Sequence, residues 1–98
     1  MELPKTITSA KLVADFVLEV KFNPGGVRFV DFRDLPLGGA FKKIGLNTSY
    51  FRTMYVKDGY LMWGGDLTID SDFVFEHSKP AYQATGFVAR VLRPLAKS

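Results

Sequence analysis

Cysteine is absent from the 98-residue chain, which excludes disulfides, thiol catalysis and thiolate-bound zinc. Histidine occurs once, at His77, so chemistry that needs two imidazoles in one chain is excluded as well. No apolar run approaches the roughly 18 residues needed to cross a bilayer. The opening Met1-Glu2-Leu3-Pro4-Lys5 has neither the basic nor the apolar region of a signal peptide, so a cytoplasmic protein with no membrane partner is expected. An excess of one sign of charge is also lacking. Thirteen Lys and Arg face ten Asp and Glu, for a formal charge of +3, well short of a dedicated nucleic-acid coat. What is present is apolar: 47% hydrophobic and 14% aromatic residues, with a mean hydropathy of +0.05. Such a chain is too apolar for disorder and long enough for one domain with a modest core.

The local patterns read as strands and turns. Thr6 to Val13 is rich in β-branched residues, and Ala14-Asp15 interrupts it. In Phe16–Phe22, Leu18, Val20 and Phe22 alternate with Glu19 and Lys21, the period-two signature of a half-buried strand. Asn23-Pro24-Gly25-Gly26 supplies a turn, and Val27–Arg33 resumes the extended pattern, so a hairpin centred on Pro24-Gly25 is predicted. Its second strand has apolar residues on both faces, Phe29 on one and Val30 and Phe32 on the other, which predicts a central strand covered on one side. Ala40–Ile44 fits one helical turn before Gly45, and Asn47 suits the cap of a second short helix through Arg52. Asp58-Gly59 between two aromatic runs predicts a second hairpin. Asp66–Asp72 reads as a short edge, with Ser71 or Asp72 capping a brief helix through Phe75. The expected fold class is α+β: a small meandering antiparallel sheet of about five strands with one or two short helices on one face.

The order of these segments resembles a small bacterial family known as domain of unknown function 2442. The stretches that carry the resemblance span about residues 7–78. They are Ile7-Thr8-Ser9-Ala10-Lys11, Leu18-x-Val20-x-Phe22, Val27-Arg28-x-Val30-Asp31 and Leu37-Gly38-Gly39-Ala40-Phe41, then Phe51-x-x-x-Tyr55-Val56, Asp58–Trp63 and Asp70–Glu76 followed by Ser78. This chain has Gly45–Ser49 where the family often opens a helix with Asp-Pro-Glu, and Ser71 where it commonly has Pro. The resemblance implies a compact α+β accessory protein. Some members carry a helix-turn-helix after this domain, and many are encoded beside another small protein, as in toxin–antitoxin pairs. It implies no catalytic residues.

Asp66, Asp70, Asp72 and Glu76 with His77 form the best candidate for metal chemistry. The oxygen-ligand spacing and glycine of a calcium loop are missing, however, so a solvated acidic edge whose aspartates cap turns is preferred. The glycine pairs at 25–26, 38–39 and 64–65 have no phosphate-loop spacing, and no serine sits in a nucleophile elbow. No catalytic constellation is visible, so a non-enzyme without cofactor or metal is expected. Phe29, Phe32, Tyr55, Tyr60 and Trp63, interleaved with Arg28, Arg33, Arg52 and Lys57, offer a base-stacking platform as a competing reading to core packing.

Partitioning the charge is more informative. Residues 1–76 hold nine basic and ten acidic residues, a net of −1. Residues 77–98 hold Lys79, Arg90, Arg93 and Lys97 with no acid, a net of +4. Apolar Phe87, Val88, Val91, Leu92 and Leu95 lie among those charges. We therefore expect a single α+β domain over residues 1–78 and a basic, apolar C-terminal extension over 79–98, packed on the core or on a partner. The expected partner-binding residues are Arg90, Arg93, Phe87, Val91 and Lys97. A protein partner or self-association, including a homodimer, is expected first. A nucleic-acid-binding regulator using the basic segment is the alternative.

Overall fold

A computed structural model describes residues 4–80. Over these residues the chain is an α+β fold of two antiparallel sheets. Strands β1 (Thr6–Ala14), β2 (Val17–Asn23) and β3 (Gly26–Asp31) form the first sheet in that order. Two short 3₁₀ helices follow, Phe32–Asp34 and Gly39–Gly45, then helix α1 (Thr48–Phe51). The second sheet holds β4 (Tyr55–Lys57), β5 (Tyr60–Trp63) and β6 (Leu67–Ile69). Helix α2 (Ser71–Glu76) then leads back to β7 (Lys79–Pro80), which pairs with the outer edge of β3. The expected single meander of about five strands is thus distributed over sheets of four and three strands, because the helical segment between β3 and β4 carries the chain out of the first ladder. No helix among the described residues is long and apolar enough to cross a membrane.

The hairpins follow their turn chemistry. Between β2 and β3 the register runs from Val17 opposite Asp31 to Phe22 opposite Gly26, which centres the turn on Pro24 and Gly25. The Asn23–Pro24 peptide is cis, and Gly25 and Gly26 both have positive φ. Asp58 and Gly59, at φ 54° and 86°, connect β4 to β5, the backbone required at both centres of a type I′ turn. Asn47 caps α1 by accepting from the Tyr50 N–H at 3.0 Å. Asp70, one residue ahead of the expected Ser71 or Asp72, caps α2 by accepting from the Phe73 N–H at 3.2 Å. Ser71 is instead buried, and its hydroxyl donates to Gly59 O at 2.6 Å.

The alternation in β2 sorts side chains as the sequence indicates. Leu18, Val20 and Phe22 are buried, Lys21 is exposed and Glu19 half-buried. In β3, Val30 joins the core while Phe29 stays half-buried. The core continues into an aromatic cluster in which Phe51 contacts Phe16, Phe32 and Trp63 at centroid distances of 5.5, 5.4 and 6.1 Å. Trp63 is fully buried, and its indole N–H donates to Phe51 O at 3.0 Å, which satisfies the one polar atom of the ring. Gly59 O joins the two sheets: it accepts from the Ile7 N–H of β1 at 2.8 Å as well as from Ser71.

Candidate interaction surface

Helix α2 and strand β7 position the most distinctive surface. Asp70 starts α2, and Val74 anchors it in the core. Phe73 and Phe75 then leave the helix on different sides. Phe75 packs edge-on against Phe22 at 5.1 Å. The Arg28 guanidinium lies 4.2 Å from its ring centroid and the Lys5 ammonium 4.4 Å, so one aromatic ring holds two cations. Arg28 also donates to the Ser78 hydroxyl and to Ser78 O. These contacts fix the turn after α2 and deliver Lys79 and Pro80 to β3, opposite Phe29 and Arg28. The sequence boundary at residue 78 falls one residue before this strand.

On the other side of α2, the Phe73 and His77 rings stack with centroids 4.4 Å apart. His77 Nδ1 lies 2.9 Å from Phe73 O. A carbonyl only accepts, so Nδ1 carries the hydrogen in that bond. A hollow of about 190 Å³ is bounded by Phe29, Asp31, Asp34, Leu35, His77 and Lys79. Next to it lies a more apolar one of about 400 Å³, formed by Leu37, Phe41, Ile69, Phe73 and their neighbours, with Asp70 as its charged residue. The two hollows have no lining residue in common, but Leu35 and Pro36, one from each, are consecutive, and Phe73 and His77, one from each, stack.

The electrostatics near these hollows are local. Asp31 is buried and accepts from the Arg33 N–H and Nε at 3.0 Å each and from Nη2 at 2.7 Å. That bidentate hydrogen bond holds the Arg33 guanidinium above its ordinary pKa, against the opposing effect of its own desolvation. In helix α1, burial and then Tyr55 raise the Tyr50 phenol. Its hydroxyl donates to Gly64 O.

The expected partner-binding residues Phe87, Arg90, Val91, Arg93 and Lys97 lie outside the described residues. The acidic group is spread out rather than gathered. Asp70 caps α2, Asp72 accepts from the Lys5 N–H at 3.0 Å, and His77 bonds its own helix. Among the described residues no three His, Asp or Glu converge as metal ligands. The stacking platform is divided too. Phe32 and Trp63 are core, Phe29 is on the first sheet, and Tyr55 and Tyr60 are exposed on the second. Arg33 pairs with Asp31, and Arg52 with Asp15 at 3.2 Å. Sequence reasoning missed the two hollows and the doubly capped Phe75 ring. Both depend on where α2 lands. The available signal was Phe73 and Phe75 on a helix too short to bury both on one side.

No protein-family model matches the chain, and neither a curated protein nor a solved structure matches it.

Proposed function

We propose that this protein is a non-catalytic, cytoplasmic interaction or regulatory module, the antitoxin-like member of a bacterial two-protein system. The observation that carries the reading is the partition between fold and charge. Among the described residues the buried core runs from Ile7 to Val74, and residues 1–76 are nearly neutral at −1. Lys79 and Pro80 pair with β3, and the segment with Arg90, Arg93 and Lys97 among apolar residues follows them in sequence. A segment that is apolar and cationic at once suits a protein surface with an acidic rim. The resemblance to domain of unknown function 2442 supports the two-protein arrangement.

The experiment is co-expression of the full chain with the tagged product of the adjacent gene. Co-purification is expected, with loss of the complex when Arg90→Glu and Arg93→Glu are combined. Failure of the unaltered chain to co-purify would remove the reading. If the segment contacts a nucleic acid instead, affinity for a duplex oligonucleotide will fall steeply between low and moderate salt.

A further inference from the structure

The larger hollow lies beside β6, and its lining is apolar. Leu37, Phe41 and Phe73 are half-buried there and Ile69 is buried. Its volume of about 400 Å³ falls within the roughly 300–1,000 Å³ of ordinary ligand sites. Among the described residues Asp70 is its one charged lining residue. We propose that this hollow docks an extended peptide segment of a partner protein. The segment adds to the β6 edge at Thr68, sets an apolar side chain in the hollow and brings a basic one to Asp70.

The free edge follows from the hairpin. Asp58 and Gly59 are the two residues between β4 and β5, so the closing pair Lys57–Tyr60 exchanges both of its backbone hydrogen bonds. Tyr55 and Met62 do the same two residues on. Leu61 and Trp63 therefore turn their peptide groups to the other neighbour, where they meet Ile69 and Leu67. Thr68, between those two, points its N–H and C=O away from β5. β6 is the last strand of its sheet among the described residues, and no other backbone bond among them reaches Thr68. Thr68 also lines the hollow, so a strand added at the usual spacing of about 4.8 Å lies against it and pairs with both groups.

Charge selects the occupant. Asp70 is exposed, and its Oδ2 accepts from the Phe73 N–H at 3.2 Å, which fixes the carboxylate at the margin of the hollow. The ion pairs among the described residues are Arg33 with Asp31 and Arg52 with Asp15, so no cation there neutralises Asp70. A Lys or Arg on the peptide supplies that charge. A second copy suits the edge poorly. Antiparallel pairing of β6 with itself about Thr68 carries Asp70 toward Asp66 of the other copy, twice over, and like charges opposed across a sheet repel. This surface is separate from the segment after residue 76 on which the proposed function rests, so either can fail alone.

The test titrates the isotope-enriched full chain with the synthetic peptide acetyl-Thr-Leu-Thr-Arg-Thr-amide. The expected result is saturable shifts of the Gly38, Phe41, Thr68, Asp70 and Phe73 amide signals. A twin peptide with Glu in place of Arg should bind about two- to fivefold more weakly. Asp70→Asn should erase that difference while keeping the helix cap. A twin methylated on its backbone nitrogens keeps the side chains but cannot donate to Thr68 O, and should not bind. Gly38 has extended backbone and open space where a Cβ would stand, so Gly38→Phe fits the fold and narrows the hollow. That variant should lose the shifts while Trp63 fluorescence stays native. Absence of shifts with the unaltered chain at millimolar peptide overturns the proposal, as does equal binding of the Glu twin or undiminished binding of the methylated one. The same shifts on concentrating the chain without peptide would overturn it too, by assigning the edge to a second copy.

Discussion

Gly25 tests the packing around Phe75 most sharply. Its φ of +132° is a backbone region essentially reserved for glycine, and a Cβ placed there would lie 2.7 Å from Phe75 Cε2 and 3.2 Å from Phe22 Cβ. Gly25→Ala therefore carries a conformational cost of about 1–3 kcal/mol and an overpacking cost of about 1–3 kcal/mol. The ring can yield only by leaving its edge-on contact with Phe22 and its position beneath Arg28 and Lys5. Gly26 is the control: its φ is +74° and nothing lies within 4 Å of a Cβ there. Gly26→Ala should cost about 1–2 kcal/mol, from backbone alone. Phe75→Leu removes the clashing atom, so in that background the excess cost of Gly25→Ala should shrink by about 1–2 kcal/mol. The assay is urea unfolding followed by the fluorescence of Trp63, the sole tryptophan and fully buried. In a domain of this size Gly25→Ala should lower Tm by roughly 10–20 °C. Equal costs for the two alanines, or additivity with Phe75→Leu within about 0.5 kcal/mol, would refute the reasoning.

Other expectations follow from single contacts. Ser71→Ala should cost only about 1 kcal/mol in urea unfolding, because Gly59 O keeps the Ile7 N–H when the hydroxyl is removed. Asn47→Ala removes the acceptor for the Tyr50 N–H and should cost about 1 kcal/mol, with Asn47→Gly milder. The Tyr50 phenol is raised by burial and by Tyr55, so the folded chain holds that proton more tightly than the unfolded chain. The associated stability is complete below the ordinary tyrosine value near 10 and is lost as pH rises through the higher folded value. Tyr50→Phe should flatten the decline in stability measured above about pH 10. Asp31→Ala removes the acceptor of the Arg33 N–H and guanidinium and should destabilise by about 1–3 kcal/mol, and Arg33→Ala by no less, because it leaves the buried Asp31 carboxylate without its counter-charge.

Legibility in the sequence tracks locality. The Asp58-Gly59 turn could be read because its φ values are demanded by the two residues themselves, and the alternation of β2 because period two needs only one buried face. The capping residue of α2 was displaced by one position because Asp70, Ser71 and Asp72 are all competent caps, and only the burial of Ser71 against Gly59 decides among them. The aromatic platform failed for a related reason. Phe32 and Trp63 share their strand pattern with Tyr55 and Tyr60, and nothing local says that Phe51 arrives to bury the first two. The two hollows were invisible because their walls, in Leu35–Phe41 and Phe73–His77, are separated by the whole second sheet along the chain.

What the sequence determined by itself was composition and local chemistry. It supplied a core-forming α+β chain without thiols, hairpins punctuated by glycine, and an excess of positive charge confined to the residues after 76. Tertiary structure decided how those pieces face one another. It divided the strands between two sheets, turned acidic residues into helix caps and backbone acceptors, and set Lys79 beside Asp31, Asp34 and His77 around one hollow. The physical reason is range. Turn geometry and alternation act over two to four residues, whereas burial is settled only when segments distant along the chain compete for the same core.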